Sequence, residues 1–186
     1  MKVYSSQRQL VIDGLNEADY FVKKTYITKK YGQVSHIMLH AYDWFIKQMG
    51  HMYKPDHAEY PVWHALDSAY LTQGPDASVL ELEIPESDLI LFDNHGFERI
   101  LQMNYIGIDP DDEEAFDESL RKKGISCGSD VFLKPHYPLE KKKILSSWPR
   151  VFDISSTSVV RAATWTIKPD WIINVRSFDE SSRNMD

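Results

Sequence analysis

Ser78–Ile106 reads SVLELEIPESDLILFDNHGFERILQMNYI, and its changing periodicity decides between fold classes. Leu80, Leu82 and Ile84 alternate with Glu81 and Glu83, the period-two pattern of a strand with one face toward a core. Pro85 ends the ladder because it brings no N–H to it. Leu89 to Phe92 follow as a second short strand or a buried turn, and Asp93 or Asn94 is placed to cap a helix running to about Asn104. Phe97, Ile100, Leu101 and Asn104 fall near one face of that helix, so it packs on the strand. The stretch predicts an α+β chain with a mixed or antiparallel central sheet and helices.

Composition sets the outer limits. The chain has 186 residues, 42% hydrophobic and 12% aromatic, enough for one well-buried core with no obvious linker through it. The expected organisation is a single α+β domain over residues 1–178 and a polar tail over 179–186. A formal net charge of −7 argues against binding nucleic acid by broad phosphate neutralisation, which needs a basic face. Cys127 is alone, so there is neither an internal disulfide framework nor a cysteine metal cluster, and a reducing compartment fits. The opening MKVYSSQRQLVIDGL lacks the apolar run of a signal peptide, and no stretch reaches the roughly 20 apolar residues of a membrane span. The expected location is the cytoplasm.

Several segments carry chemistry-bearing residues. Lys2–Ser6 reads as a short strand and Gln7–Leu15 as a helix capped by Ser5 or Ser6, a frame whose free amides attract anions or which is simply amphipathic. Residues 18–32, ADYFVKKTYITKKYG, interleave rings with lysines, as a single-stranded nucleic-acid platform or a plain lysine-faced helix would. Val34, Ile37, Met38, Ala41, Tyr42, Phe45 and Met49 form the apolar stripe of a core helix. His36 and His40 on that helix have the i, i+4 spacing of zinc ligands. They lack the neighbouring glutamate and a third ligand at a recognised spacing, and no metal is predicted. Residues 51–64, HMYKPDHAEYPVWH, suit a small-molecule pocket or a core plug, with a short strand at Tyr60–His64.

The run from Asp109 to Lys123 is a helix with Asp109 as N-cap, Pro110 in the first turn, acids at its start, bases at its end and Gly124 beyond it. This charge placement complements the helix dipole, and the acidic face is also a candidate surface for a protein partner. Ser158–Ile167 reads as a central strand with apolar residues on both faces and one charge, Arg161. A charge inside a sheet is costly unless it is paired or turned toward a ligand.

YPVW at Tyr60–Trp63, LELEIPESDLILFD, SWPRVFDI at Ser147–Ile154 and RAATWTIKPDWIINV resemble, in this order, an uncharacterised bacterial and phage family of unknown function. More distantly, the layout is similar to the ADP-ribosyltransferase fold: a strand-turn-helix, a helical segment, a strand, then a late strand with a polar residue and another strand. That resemblance implies NAD, bound as substrate in a cleft between two small sheets, transfer of ADP-ribose to a protein or nucleic-acid target, no metal, and a toxin or phage-defence setting. It implies Tyr4, Gln7, Tyr60, Trp63 and Arg161 around the nucleotide. Where such enzymes present His or Arg on the first strand, this chain has Tyr4, Ser5, Ser6 and Gln7. Where they present Glu or Gln on the late strand it has Arg161, suited to gripping the pyrophosphate and unsuited to stabilising a developing cation. Catalysis would then be lost or carried by another carboxylate, with Glu59 the candidate. The alternative expectation is a non-catalytic protein-binding module or phage-type inhibitor acting through Asp109–Lys123.

Overall fold

The computed structural model describes residues 1–71, 74 and 76–177; the polar tail expected at 179–186 lies outside the described residues. Along the chain run β1 (Lys2–Arg8), α1 (Gln9–Leu15), α2 (Lys24–Tyr31), α3 (Ser35–Gln48), β2 (Val62–Ala65), β3 (Ala77–Glu83), β4 (Ile90–Asp93), α4 (Asn94–Leu101), α5 (Pro110–Lys122), α6 (Gly128–Leu133), α7 (Pro138–Ser147), β5 (Val160–Thr164) and β6 (Ile172–Ser177). The architecture is α+β with antiparallel strand pairing, as the period-two and helical segments require. Two compact units share the chain, one formed by residues 1–24, 49–90 and 161 onward, the other by 25–48 and 91–160. Among the described residues no helix is long and apolar enough to cross a membrane.

In the first unit the strands run in the order β5-β2-β1-β3-β6. The alternation around Leu80 holds: Leu80, Leu82 and Ile84 are fully buried, and β3 pairs with β1 along seven residues, from Lys2–Glu83 to Arg8–Ala77. β2 and β5 pair along four, from Val62–Thr164 to Ala65–Arg161. Between these two ribbons, β1 and β2 meet in register at one pair, Tyr4–Ala65. The helix expected from Gln7 begins later, because β1 continues to Arg8. Ser5 and Ser6 therefore lie inside a strand and cap nothing. Arg8 occupies the N-cap position without a side-chain bond.

In the second unit Asp93 caps α4 as expected, its carboxylate accepting from the amides of His95 and Gly96 at 3.3 and 2.7 Å. Phe97 and Ile100 bury one face of that helix. Phe45 packs edge-on to Phe92 and Phe97, with ring centroids 5.2 and 5.4 Å away. Trp148 is fully buried, stacked on Phe132 at 5.7 Å and edge-on to Trp44 at 5.2 Å. The stripe expected on α3 is buried only from Ala41 onward; Val34 precedes the helix in a 3-10 turn and is exposed. Asp109 and Pro110 start α5 as the capping pattern demands, and Gly124 follows it with φ +73°, the left-handed conformation that favours glycine.

Candidate functional site

Antiparallel register places residues on a sheet face without further assumption, because directly opposed residues project to the same side. Arg161 opposes Ala65, Ala65 opposes Tyr4, Tyr4 opposes Glu81 and Glu81 opposes Asn174, one row across five strands. One step along, Trp63 opposes Ala163 and so shares the face of Ala65 and Arg161. Large side chains (Arg161, Tyr4, Trp63) thus alternate with Ala65 and Ala163, both fully buried. Tyr4 and Arg161, two strands apart, are separated by about 10 Å at the backbone. This is the span of a mid-sized ligand.

The row crosses the seam where β1 and β2 pair once. Among the described residues no further β1–β2 pair is in register, and beside this one Ser5 Oγ donates to the Trp63 carbonyl at 3.4 Å. The sheet is therefore nearly divided at Tyr4. Three of the residues expected from sequence, Tyr4, Trp63 and Arg161, come together on this one face.

The remaining three are elsewhere. Gln7 projects to the other side of β1, where its Nε2 donates to Ser5 Oγ at 2.8 Å. Tyr60 precedes β2, is buried, and forms an isolated bridge with Val22. Glu59 is exposed and accepts the Lys24 amide at 2.7 Å, with Lys23 Nζ at 3.7 Å. The amide bond, then the lysine, holds its carboxyl below the usual range. Its observed contacts are those of an anchor for the chain at Lys24.

Two residues the sequence did not single out matter here. Glu81, in the same row as Tyr4, was read as a solvent-facing position. It is nearly buried, bonded to Lys2 and, at 2.9 Å, to Arg176, and the Lys2 and Arg176 bonds lower its pKa. On the opposite face His64 is buried and its Nε2 lies 2.9 Å from Thr164 Oγ1. Thr164 spends its one proton on the Thr166 carbonyl at 2.6 Å, so His64 Nε2 must donate and Nδ1 keeps an unpartnered lone pair. Burial pushes its pKa down to about 3. The alternation of β2 was visible in the sequence, and only the pairing with β5 shows that His64 is enclosed.

Other candidate groups are occupied. His36 Nδ1 is 2.9 Å from the Gln33 carbonyl and His40 packs edge-on to Phe132 and Trp148. No group of three or more metal-ligating side chains gathers among the described residues. On α5, Asp117 holds Arg99 through two 2.8 Å bonds, Asp112 accepts from Tyr105 and the Ile108 amide, Glu113 meets His95 at 3.0 Å, and Glu114 and Glu118 pair with Arg121 and Lys122. Most of the acidic face is thus engaged within its own unit.

A model of the family described as Domain of unknown function (DUF3841) matches residues 2–173. No curated protein and no solved structure matches the chain.

Proposed function

The chain belongs to the DUF3841 family, whose function is unknown, so its activity must be read from its own residues, and we propose that it is an ADP-ribosyltransferase-like protein that binds NAD at the β1–β2 seam. The observation that carries this reading is the convergence of Tyr4, Trp63 and Arg161 on one sheet face where the sheet narrows to a single pair. A guanidinium binds a pyrophosphate bidentately, and the half-buried rings of Tyr4 and Trp63 take up a base or a nicotinamide by stacking. The order of elements, with an early strand-helix unit, the β2 strand and a late β5–β6 pair with Arg161 on β5, supports the same architecture.

If transfer occurs, the nicotinamide N-glycosidic bond breaks with its electron pair leaving on nicotinamide. The acceptor forms the new bond and gives up its proton. On this face the carboxylate nearest Tyr4 is Glu81, held between two cations, and Arg161 occupies the late-strand position. The site is therefore better built for gripping a dinucleotide than for stabilising an oxocarbenium ion, so binding is expected to exceed turnover. A toxin or phage-defence setting, in bacteria or phage, accords with modification of a macromolecular target.

Calorimetric titration of NAD into the purified chain, with nicotinamide release followed by chromatography, tests the proposal. Saturable binding that Arg161→Met weakens at least tenfold supports it. Absence of binding at millimolar NAD overturns it.

A further inference from the structure

The SWPR segment has a place in the fold that the seam does not account for. Ser147 Oγ accepts the Ile106 amide at 2.9 Å, Trp148 Nε1 donates to the Asn104 carbonyl at 2.9 Å, and Arg150 Nη1 donates to Tyr105 Oη at 2.9 Å and to the Ile106 carbonyl at 2.5 Å. Arg99 Nε adds a bond to the Tyr105 carbonyl at 2.9 Å. The segment Asn104–Ile106 is thereby clamped from both sides. Beside it, between α5 and α7, opens a cavity of about 560 Å³ reached by Arg150, Lys142, Lys143, Ser119 and Ser146.

Arg150 is held mainly by a phenol and a carbonyl, which fix its plane without cancelling its charge; Asp112 is 3.7 Å away. Lys142 and Lys143 make no ion pair among the described residues and are exposed. With Asp112 the only lining carboxylate, the three cations leave the cavity at +2 in a chain of net charge −7. Asp112 is kept ionised by the Ile108 amide and the Tyr105 hydroxyl. A pre-set guanidinium, two exposed ammonium groups and the Ser146 hydroxyl around a +2 cavity match a phosphate dianion, the Ser119 proton being taken by the Phe116 carbonyl at 2.7 Å. The volume is several times that of a phosphate and lies within the usual range for small organic ligands, about 300–1,000 Å³.

We infer that the α5–α7 cavity is a second ligand site, which binds an organic phosphate monoester of nucleotide size through Arg150, Lys142 and Lys143. It is independent of the seam, since every lining residue belongs to the other unit.

Titration with AMP and, separately, with inorganic phosphate tests this on the full chain and on Lys142→Gln/Lys143→Gln, whose exposed side chains leave the clamp intact. The inference expects AMP to bind at least threefold tighter than phosphate, a loss of at least thirtyfold in the double variant, and retention of the AMP site in Arg161→Met. Equal affinity for AMP and phosphate would make the ligand the free anion and overturn the organic part. An unchanged affinity in the double variant, loss of the AMP site in Arg161→Met, or no binding of AMP at millimolar concentration would overturn the site.

Discussion

The β1–β3 ribbon of the first unit and the Asn104–Ile106 clamp of the second are held by different means. The ribbon is a ladder of main-chain bonds whose residues alternate in and out, so Val3, Leu80 and Leu82 are buried by register alone. The clamp has no ladder. Its backbone groups are satisfied by side chains 41 to 44 residues away and by Arg99. A ladder spreads its stability over many similar bonds, whereas a clamp concentrates it in a few side chains. Single substitutions should therefore cost most in the second unit.

The largest effect is expected at the clamp's centre. Trp148→Ala removes a fully buried ring and an indole bond to Asn104, and should destabilise the chain by about 3–5 kcal/mol in urea unfolding. A loss below ~1 kcal/mol would erase the contrast between clamp and ladder.

The ribbon side has its own concentrated point, His64. Its folded pKa of about 3 lies below the ordinary value, so the unfolded chain binds the extra proton between these two values. Stability is complete above about pH 6.5 and falls as pH drops toward the folded pKa, by roughly 3 kcal/mol between pH 7 and pH 4. His64→Gln should remove that part of the acid slope in pH-dependent melting, and an unaltered slope would show that His64 is not enclosed.

A smaller loss is expected at the clamp's flank. Arg99→Met leaves the Asp117 carboxylate and the Tyr105 carbonyl without their donor, and should cost about 2 kcal/mol by chemical unfolding. By contrast Lys122→Ala breaks an exposed i, i+4 pair with Glu118 and should change stability by no more than about 0.5 kcal/mol. Similar costs for the two would mean that position in the clamp carries no special weight.

The difference between the units also explains what the sequence could reveal. Period-two alternation announced β3, and the Asp-Pro start and following glycine announced α5, because both signals are local. The candidate site was half legible. Arg161 drew attention as a charge on an apolar strand, and Tyr4 and Trp63 through the fold resemblance, yet their shared face follows from register between strands some 60 and 100 residues apart. Gln7 was misplaced for a local reason: β1 outlasts the serines, and odd and even residues of a strand point opposite ways. Glu81 was hidden by its own pattern, since alternation marks a charged residue as outward and says nothing of Lys2 and Arg176 closing over it. The clamp gave no periodic signal, and SWPRVFDI stood out only as a motif of the family resemblance.

The most direct test of the seam is thermal unfolding of the chain with and without millimolar NAD, repeated on Arg161→Met and Lys142→Gln/Lys143→Gln. At a ligand concentration near 100 times Kd, binding should add about 2.7 kcal/mol and raise Tm visibly in the parent and the double lysine variant. Because Arg161→Met weakens binding at least tenfold, the same NAD should add no more than about 1.4 kcal/mol to that variant and raise its Tm by correspondingly less. No rise in the parent, or an equal rise in Arg161→Met, would contradict a nucleotide site on the Tyr4–Trp63–Arg161 face.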